Sequence, residues 1–142
     1  MKAFSLALAA TAALAHNGNH KTFNEIVMQA GYATESYTVT TEDGYIEQMY
    51  RIPGRLNEIG HPVKKPAVLM MAGLLCDMKF WIANDADLAP PFTLVDNGYD
   101  VWFGNNRGSR YGQAHLVWHK NQKEFWETNY IDMGLYDLPA QI

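Results

Sequence analysis

The stretch "PAVLMMAGLLCDMKFWIANDADLAPPFTLVDNGYDVWFG", residues 66–104, decides the fold. It holds two apolar runs, Ala67–Met71 and Tyr99–Phe103, the first followed by Ala72-Gly73 and the second by Gly104. A continuous apolar run of this length predicts a strand buried on both faces. Between the runs, "PPFTLVDNGY" opens on proline and closes on Asn-Gly, which predicts a short helix. Strand, helix, strand implies a parallel pair joined by a crossover.

The flanking segments extend this reading. In "TFNEIVMQAGY", Phe23, Ile26, Val27 and Ala30 recur at helical spacing and Gly31 supplies a stop. "ESYTVTTEDGYIEQMYRIP" is a hairpin: Tyr37, Val39 and Thr41 alternate, Asp43-Gly44 makes the turn, and Ile46 to Ile52 returns. "NQKEFWETNYIDMGLYDLPAQI" reads as helical in two pieces. The predicted class is α/β: a mixed sheet, with an N-terminal antiparallel hairpin followed by parallel strands flanked by helices.

The chain has 142 residues, 48% hydrophobic and 13% aromatic, a composition that excludes disorder. Net charge is -4 and no long basic run occurs, so nucleic acid is not an expected partner. The single Cys76 cannot form an internal disulfide or build a Cys-rich zinc site. "MKAFSLALAATAALA" has a lysine, an apolar run and Ala13-Leu14-Ala15, the layout of a cleaved secretory leader over residues 1–15. A buried or amphipathic first helix is the alternative. The run is too short to span a bilayer, which needs ~20 residues. Residues 16–142 are then expected to be one partial domain, secreted or delivered to a lysosome or vesicle.

Sites in α/β sheets lie outside the carboxyl ends of the strands. Two loops leave those ends, "AGLLCD" and "GNNRGSRYG". The second carries Gly104, Gly108 and Gly112 four apart, a spacing that matches neither the dinucleotide fingerprint nor the P-loop. It is either a site loop or a tight surface turn with left-handed glycines. His115 and His119 stand at i, i+4, which puts both rings on one helical face, but Leu116 replaces the glutamate a zinc peptidase needs, so ordinary surface histidines are expected. Cys76 has no implied base beside it and reads as an incidental thiol.

The stretches "GYATESYTVTTEDGYIEQMYRIP", "MAGLLCDMKFWI", "NGYDVWFGNNRG" and "KEFWETNYIDMGLYDLPA", in this order, resemble the acid lipases of the α/β-hydrolase superfamily. The resemblance runs from about Phe23 to Ile142. It implies that the chain is the N-terminal part of that fold. It also implies that the loop after the first buried strand carries an oxyanion-hole donor, the backbone N–H of Leu74, flanked by Gly73 and Leu75. Gly73 would let the backbone turn. Gly104, Asn105, Arg107 and Gly108 match a loop that flanks the pocket, where Arg107 would brace its neighbours by charge-assisted hydrogen bonds; a solvated Arg107 is the alternative. Ala72 stands where the family usually has histidine.

The family's nucleophile sits in a G-x-S-x-G elbow, and none of Ser5, Ser36 and Ser109 lies in that pattern. The chain is therefore expected to end before the catalytic triad and to be inactive alone. The resemblance implies a lipid ester as substrate of the full-length parent, with no cofactor and no metal. Peripheral contact with a lipid surface stays open. The alternative is a non-catalytic protein that binds lipid or a partner. A single-domain esterase using Ser109 has no His–Asp context to support it.

Overall fold

The computed structural model describes residues 21–58 and 64–142. The leader expected over residues 1–15 lies outside them. The described chain begins with helix α1 (Phe23–Gln29), whose Thr22 and Glu25 form a reciprocal capping box. Strands β1 (Glu35–Thr40) and β2 (Tyr45–Ile52) follow as an antiparallel hairpin. Next come a three-residue 3₁₀ turn (Leu56–Glu58), β3 (Ala67–Met71), the first of two longer 3₁₀ turns (Met78–Ile82), α2 (Pro90–Asp96) and β4 (Asp100–Gly104). A two-residue strand, β5 (Ala114–His115), the second longer 3₁₀ turn (Lys123–Trp126) and a helical run over 130–140 complete it.

All strands form one sheet in the order β1-β2-β4-β3, with β5 paired to β2. β4 is parallel to β3 (Val68 opposite Val101) and antiparallel to β2 (Ile52 opposite Val101). This is the mixed α/β sheet expected from the alternation of strand and helix.

Period-two alternation sorts the side chains to two faces. Ile52, Val101 and Phe103 join Phe23, Val27, Met78, Ile82 and Phe92 in one core under α1, α2 and the first longer 3₁₀ turn. The Phe23 ring lies 4.9 Å from that of Phe103, edge-on. The opposite face carries Tyr45 and Glu47, both buried, and it receives the run 130–140.

Two local readings are corrected and a third is refined. β3 is not buried on both faces: Ala67 is exposed, Met70 alone is buried, and the rest are half-buried. The reason is its place at the end of the sheet order, with β4 as its one neighbour among the described residues. "HLVWH" is not helical. His115 belongs to β5, and its Nδ1 accepts the N–H groups of Val117 and Trp118, local bonds that replace helical ones. His119 follows in a turn rather than on a shared helical face. The C-terminal segment is helical in two pieces as expected, but the second contains a π segment, Met133–Asp137, in which the Leu138 N–H reaches back to the Met133 carbonyl.

The glycine-rich loop is a compact double turn. The Gly108 N–H donates to the Gly112 carbonyl at 2.8 Å, and the Gly112 N–H to the Ser109 carbonyl at 3.1 Å. Gly108 has φ +76, and a Cβ on Gly112 would stand 2.7 Å from the Asn106 carbonyl oxygen. Backbone cannot yield as a side-chain tip can. Gly112→Ala is therefore expected to lower the unfolding free energy by about 1–3 kcal/mol in urea titration. Gly73→Ala, whose Cβ would meet nothing within 4 Å, should change it little.

Candidate functional site

Because β3 and β4 run parallel, their two exit loops emerge side by side. The first is a tight turn over Gly73–Cys76, closed by the Cys76 N–H donating to the Gly73 carbonyl at 3.0 Å. Its third residue, Leu75, has φ +62, a left-handed conformation that costs a non-glycine residue ~1–2 kcal/mol. The conformational demand thus falls on Leu75, and the turn expected at Gly73 is made two residues later. The Leu75 side chain is 99% exposed and that of Leu74 66%, so neither anchors the loop by burial.

The turn bond also sets a direction. The Gly73 carbonyl and the Leu74 N–H share one planar trans peptide and point opposite ways. With that carbonyl held toward Cys76, the Leu74 N–H is turned outward. Among the described residues no acceptor takes it.

Polar side chains from the second loop grip the first. Asn105 is wholly buried; its Oδ1 accepts the Met78 N–H at 3.1 Å and its Nδ2 donates to the Gln48 carbonyl at 2.8 Å. Asn106 Nδ2 donates to the Ala72 carbonyl at 2.9 Å. The Gly104 carbonyl accepts the Ala72 N–H at 3.1 Å.

Arg107 is 3% exposed, which excludes a solvated side chain. Its Nη1 and Nη2 donate to both Asp43 oxygens, at 2.6 and 2.9 Å, and its Nε donates to Asp137 Oδ1 at 2.7 Å. The Asp137 Oδ2 accepts the Arg107 backbone N–H at 2.9 Å, and the guanidinium lies 4.0 Å from the Tyr45 ring centre. One cation thereby joins the hairpin turn, the glycine loop and the π segment. Burial opposes its charge, but the hydrogen bonds to Asp43 and Asp137 outweigh that and hold it protonated.

Glu47 sits beside this cluster with no exposed surface. Gln141 Nε2 donates to its Oε2 at 2.6 Å, while Oε1 has no partner. Burial first, and then the neighbouring Asp137 charge, push its carboxyl up to about 9. It is a neutral acid at pH 7, so one proton and Arg107 together keep three carboxyl groups compatible in one place.

A cavity of about 490 Å³ lies between the two loops and the second longer 3₁₀ turn. Its wall brings together Gly73, Leu74, Leu75, Arg107 and Gly108. Gly104 and Asn105 are not on that wall. Cys76 and Ser109 are also on the wall; the Ser109 hydroxyl is buried with no hydrogen-bond partner, and no histidine reaches it among the described residues. Trp126 is on the wall, as expected of the tryptophans by default, whereas sequence reasoning missed Asn106, Asp43 and Asp137. Along the chain Asp43 marks only the hairpin turn, and nothing local marks Asp137 as the partner of an arginine 30 residues earlier. No group of three His, Cys, Asp or Glu side chains suited to a metal ion occurs among the described residues.

Residues 23–85 match a family model described as the partial alpha/beta-hydrolase lipase region. The chain is 40% identical over 119 residues to gastric triacylglycerol lipase of Bos taurus, covering 84% of this chain and 30% of that protein. It is 44% identical over 122 residues to lysosomal acid lipase/cholesteryl ester hydrolase of Homo sapiens, again 84% and 30%. Lipase member N of Mus musculus matches at 40% identity with the same two shares. The chain thus spans about a third of the length of the curated relatives it matches. With a mixed sheet, two facing loops and a mostly apolar cavity at the strand ends, the chain carries the partial alpha/beta-hydrolase lipase region over residues 23–85 and is similar over most of its length to part of the gastric and lysosomal acid lipases.

Proposed function

We propose that this region serves a lipase that hydrolyses carboxylic esters of lipids, triacylglycerols or sterol esters. In this reading it contributes the Leu74 N–H as one oxyanion donor and the apolar wall beside it. The observation that carries it is the Gly73–Cys76 turn: its hydrogen bond turns the Leu74 N–H outward, at a residue on the wall of the cavity. Ester hydrolysis passes through a tetrahedral oxyanion, which preorganised N–H donors stabilise. Leu74, Leu75 and Trp126 leave apolar surface exposed around the cavity, which suits an acyl chain or a lipid surface. The nucleophile, the base and the second donor come from outside residues 16–142. Residues 1–15 act as a leader to a secretory or lysosomal route, in keeping with the gastric and lysosomal relatives.

The test is hydrolysis of a short-chain nitrophenyl ester and of a triacylglycerol by a polypeptide carrying this region together with a G-x-S-x-G segment encoded downstream. Leu74 is the second residue of its turn, where proline is favoured, so Leu74→Pro deletes the donor and keeps the turn. It is expected to lower turnover ~10²–10³-fold. Leu74→Ala should cost far less. Equal losses would show that Leu74 acts through its side chain. The second reading, lipid binding without catalysis, draws on the exposed apolar surface of Leu74, Leu75 and Trp126 at the cavity. It predicts that the 142-residue chain binds lipid without turnover, whether or not it carries Ser109→Ala.

A further inference from the structure

We infer that Asn106 is the positioning residue of the Leu74 turn: its side-chain amide, hydrogen-bonded to the Ala72 carbonyl, orients the peptide that leads into Gly73 and Leu74. The inference rests on the proposed role of the Leu74 N–H. It assigns a function to a side chain that neither the loop's glycines nor Arg107 performs.

The argument starts from what does not hold the turn. Leu74 and Leu75 are 66% and 99% exposed, so little apolar burial fixes them. Gly73 has no side chain, and its Cβ position faces open space within 4 Å, so nothing packs against it either. Leu75 is held in a left-handed conformation it would leave if released. A strained, unpacked turn keeps one geometry only through hydrogen bonds at its ends. On the far side, Asn105 accepts the Met78 N–H, and Asp77 Oδ1 accepts the Lys79 N–H at 2.8 Å. On the near side, the Ala72 N–H is tied to the Gly104 carbonyl, which fixes the residue but not the peptide after it. That next peptide, carrying the Ala72 carbonyl and the Gly73 N–H, is held by Asn106 Nδ2 at 2.9 Å. Releasing it frees rotation at the glycine and so the direction of the Leu74 N–H.

Asn106 is also well placed to be rigid. Its own carbonyl accepts the Ser109 N–H at 3.2 Å inside the double turn, and Arg107 beside it is locked by two carboxylates. The amide thus transmits the stiffness of the buried ion cluster to an exposed turn.

The experiment has two arms. In the 142-residue chain, amide exchange measured by NMR on Asn106→Ala and Asn106→Asp should show the Cys76 N–H, which closes the turn, exchanging ~10-fold or more faster. The Phe103 N–H in the sheet should be unchanged, which reports that the variants fold. Unchanged exchange at Cys76 overturns the inference. In the active longer polypeptide, both variants should lower kcat by ~10²-fold while KM stays within about twofold, because a misaimed donor is felt in the transition state. A loss confined to Asn106→Asp would assign the effect to added negative charge and overturn the inference. Faster Cys76 exchange with no ester hydrolysis by any form, wild type included, would keep the positioning role and overturn the lipase reading.

Discussion

Arg107→Met should lower the unfolding free energy by about 3–5 kcal/mol, the cost of leaving a buried carboxylate without its partner. Asp137 has no exposed surface, and Arg107 supplies two donors to it, the side-chain Nε and the backbone N–H. Methionine fills much of the arginine stem's volume, so the loss reports the charge and not a cavity. Arg107→Lys should also fail to restore the wild-type value. An ammonium cannot serve both Asp43 oxygens in fork geometry and still reach Asp137. Adding Asp137→Asn to Arg107→Met should recover at least about 1 kcal/mol, because a neutral amide needs no counter-charge. Guanidinium unfolding of the single and double variants measures all of this. A loss below about 1 kcal/mol for Arg107→Met would show that the cluster only breaks even. The local consequence matters for the site. Arg107 ties the Asp43 turn to the π segment and touches Thr128, which lies on the cavity wall, so the wall should loosen before the core does.

The stability of the chain should fall as pH rises from about 5 toward 9, and Glu47→Gln should remove most of that fall. The sign follows from the direction of the shift. The folded Glu47 carboxyl is raised from 4.5 to about 9. Between those values the folded chain holds a proton that the unfolded chain has released. Folding is therefore favoured fully below 4.5, and the advantage is lost as pH climbs through about 9, at roughly 1.4 kcal/mol per pH unit. Glutamine keeps a neutral group of the same shape and can still accept the Gln141 amide. On the acid side Asp43 acts the other way. Burial pushes its carboxyl up, but the hydrogen bonds from Arg107 and Thr41 and the Arg107 charge together more than reverse that, so its folded value lies below the ordinary 3.8. Its contribution is present above that value and is lost as pH falls through the lowered one. Maximum stability is thus expected in the mildly acid range, about pH 4–5. Unfolding free energies of wild type and Glu47→Gln across pH 4 to 9 check it; parallel curves would show that Glu47 is ionised in the folded chain.

Several elements are legible in the residues alone. The helix at Phe23–Gln29, the hairpin around Gly44, the helix at Pro90–Asp96 and the parallel pair β3 and β4 each follow from residues close in sequence. Their signals are local: periodicity, capping, proline before a helix and glycine after one. The same locality explains what could not be read. The apolar run of β3 predicted two covered faces, but coverage depends on which strands flank it in the sheet, and periodicity carries no such information. The spacing of His115 and His119 suggested a shared helical face, but ring-to-backbone bonds and pairing with β2 decided otherwise.

By itself, then, the sequence determined the α/β order, the two loops at the strand ends and the lipase kinship, because those rest on short-range pattern. Only the tertiary structure decided that Arg107 answers Asp43 and Asp137, which lie 64 and 30 residues away, that Glu47 is a buried neutral acid, and that Asn106 grips Ala72. The physical reason is desolvation. A charged or polar group removed from water must find its partner wherever the fold brings one, and that partner is set by packing across the chain rather than by spacing along it.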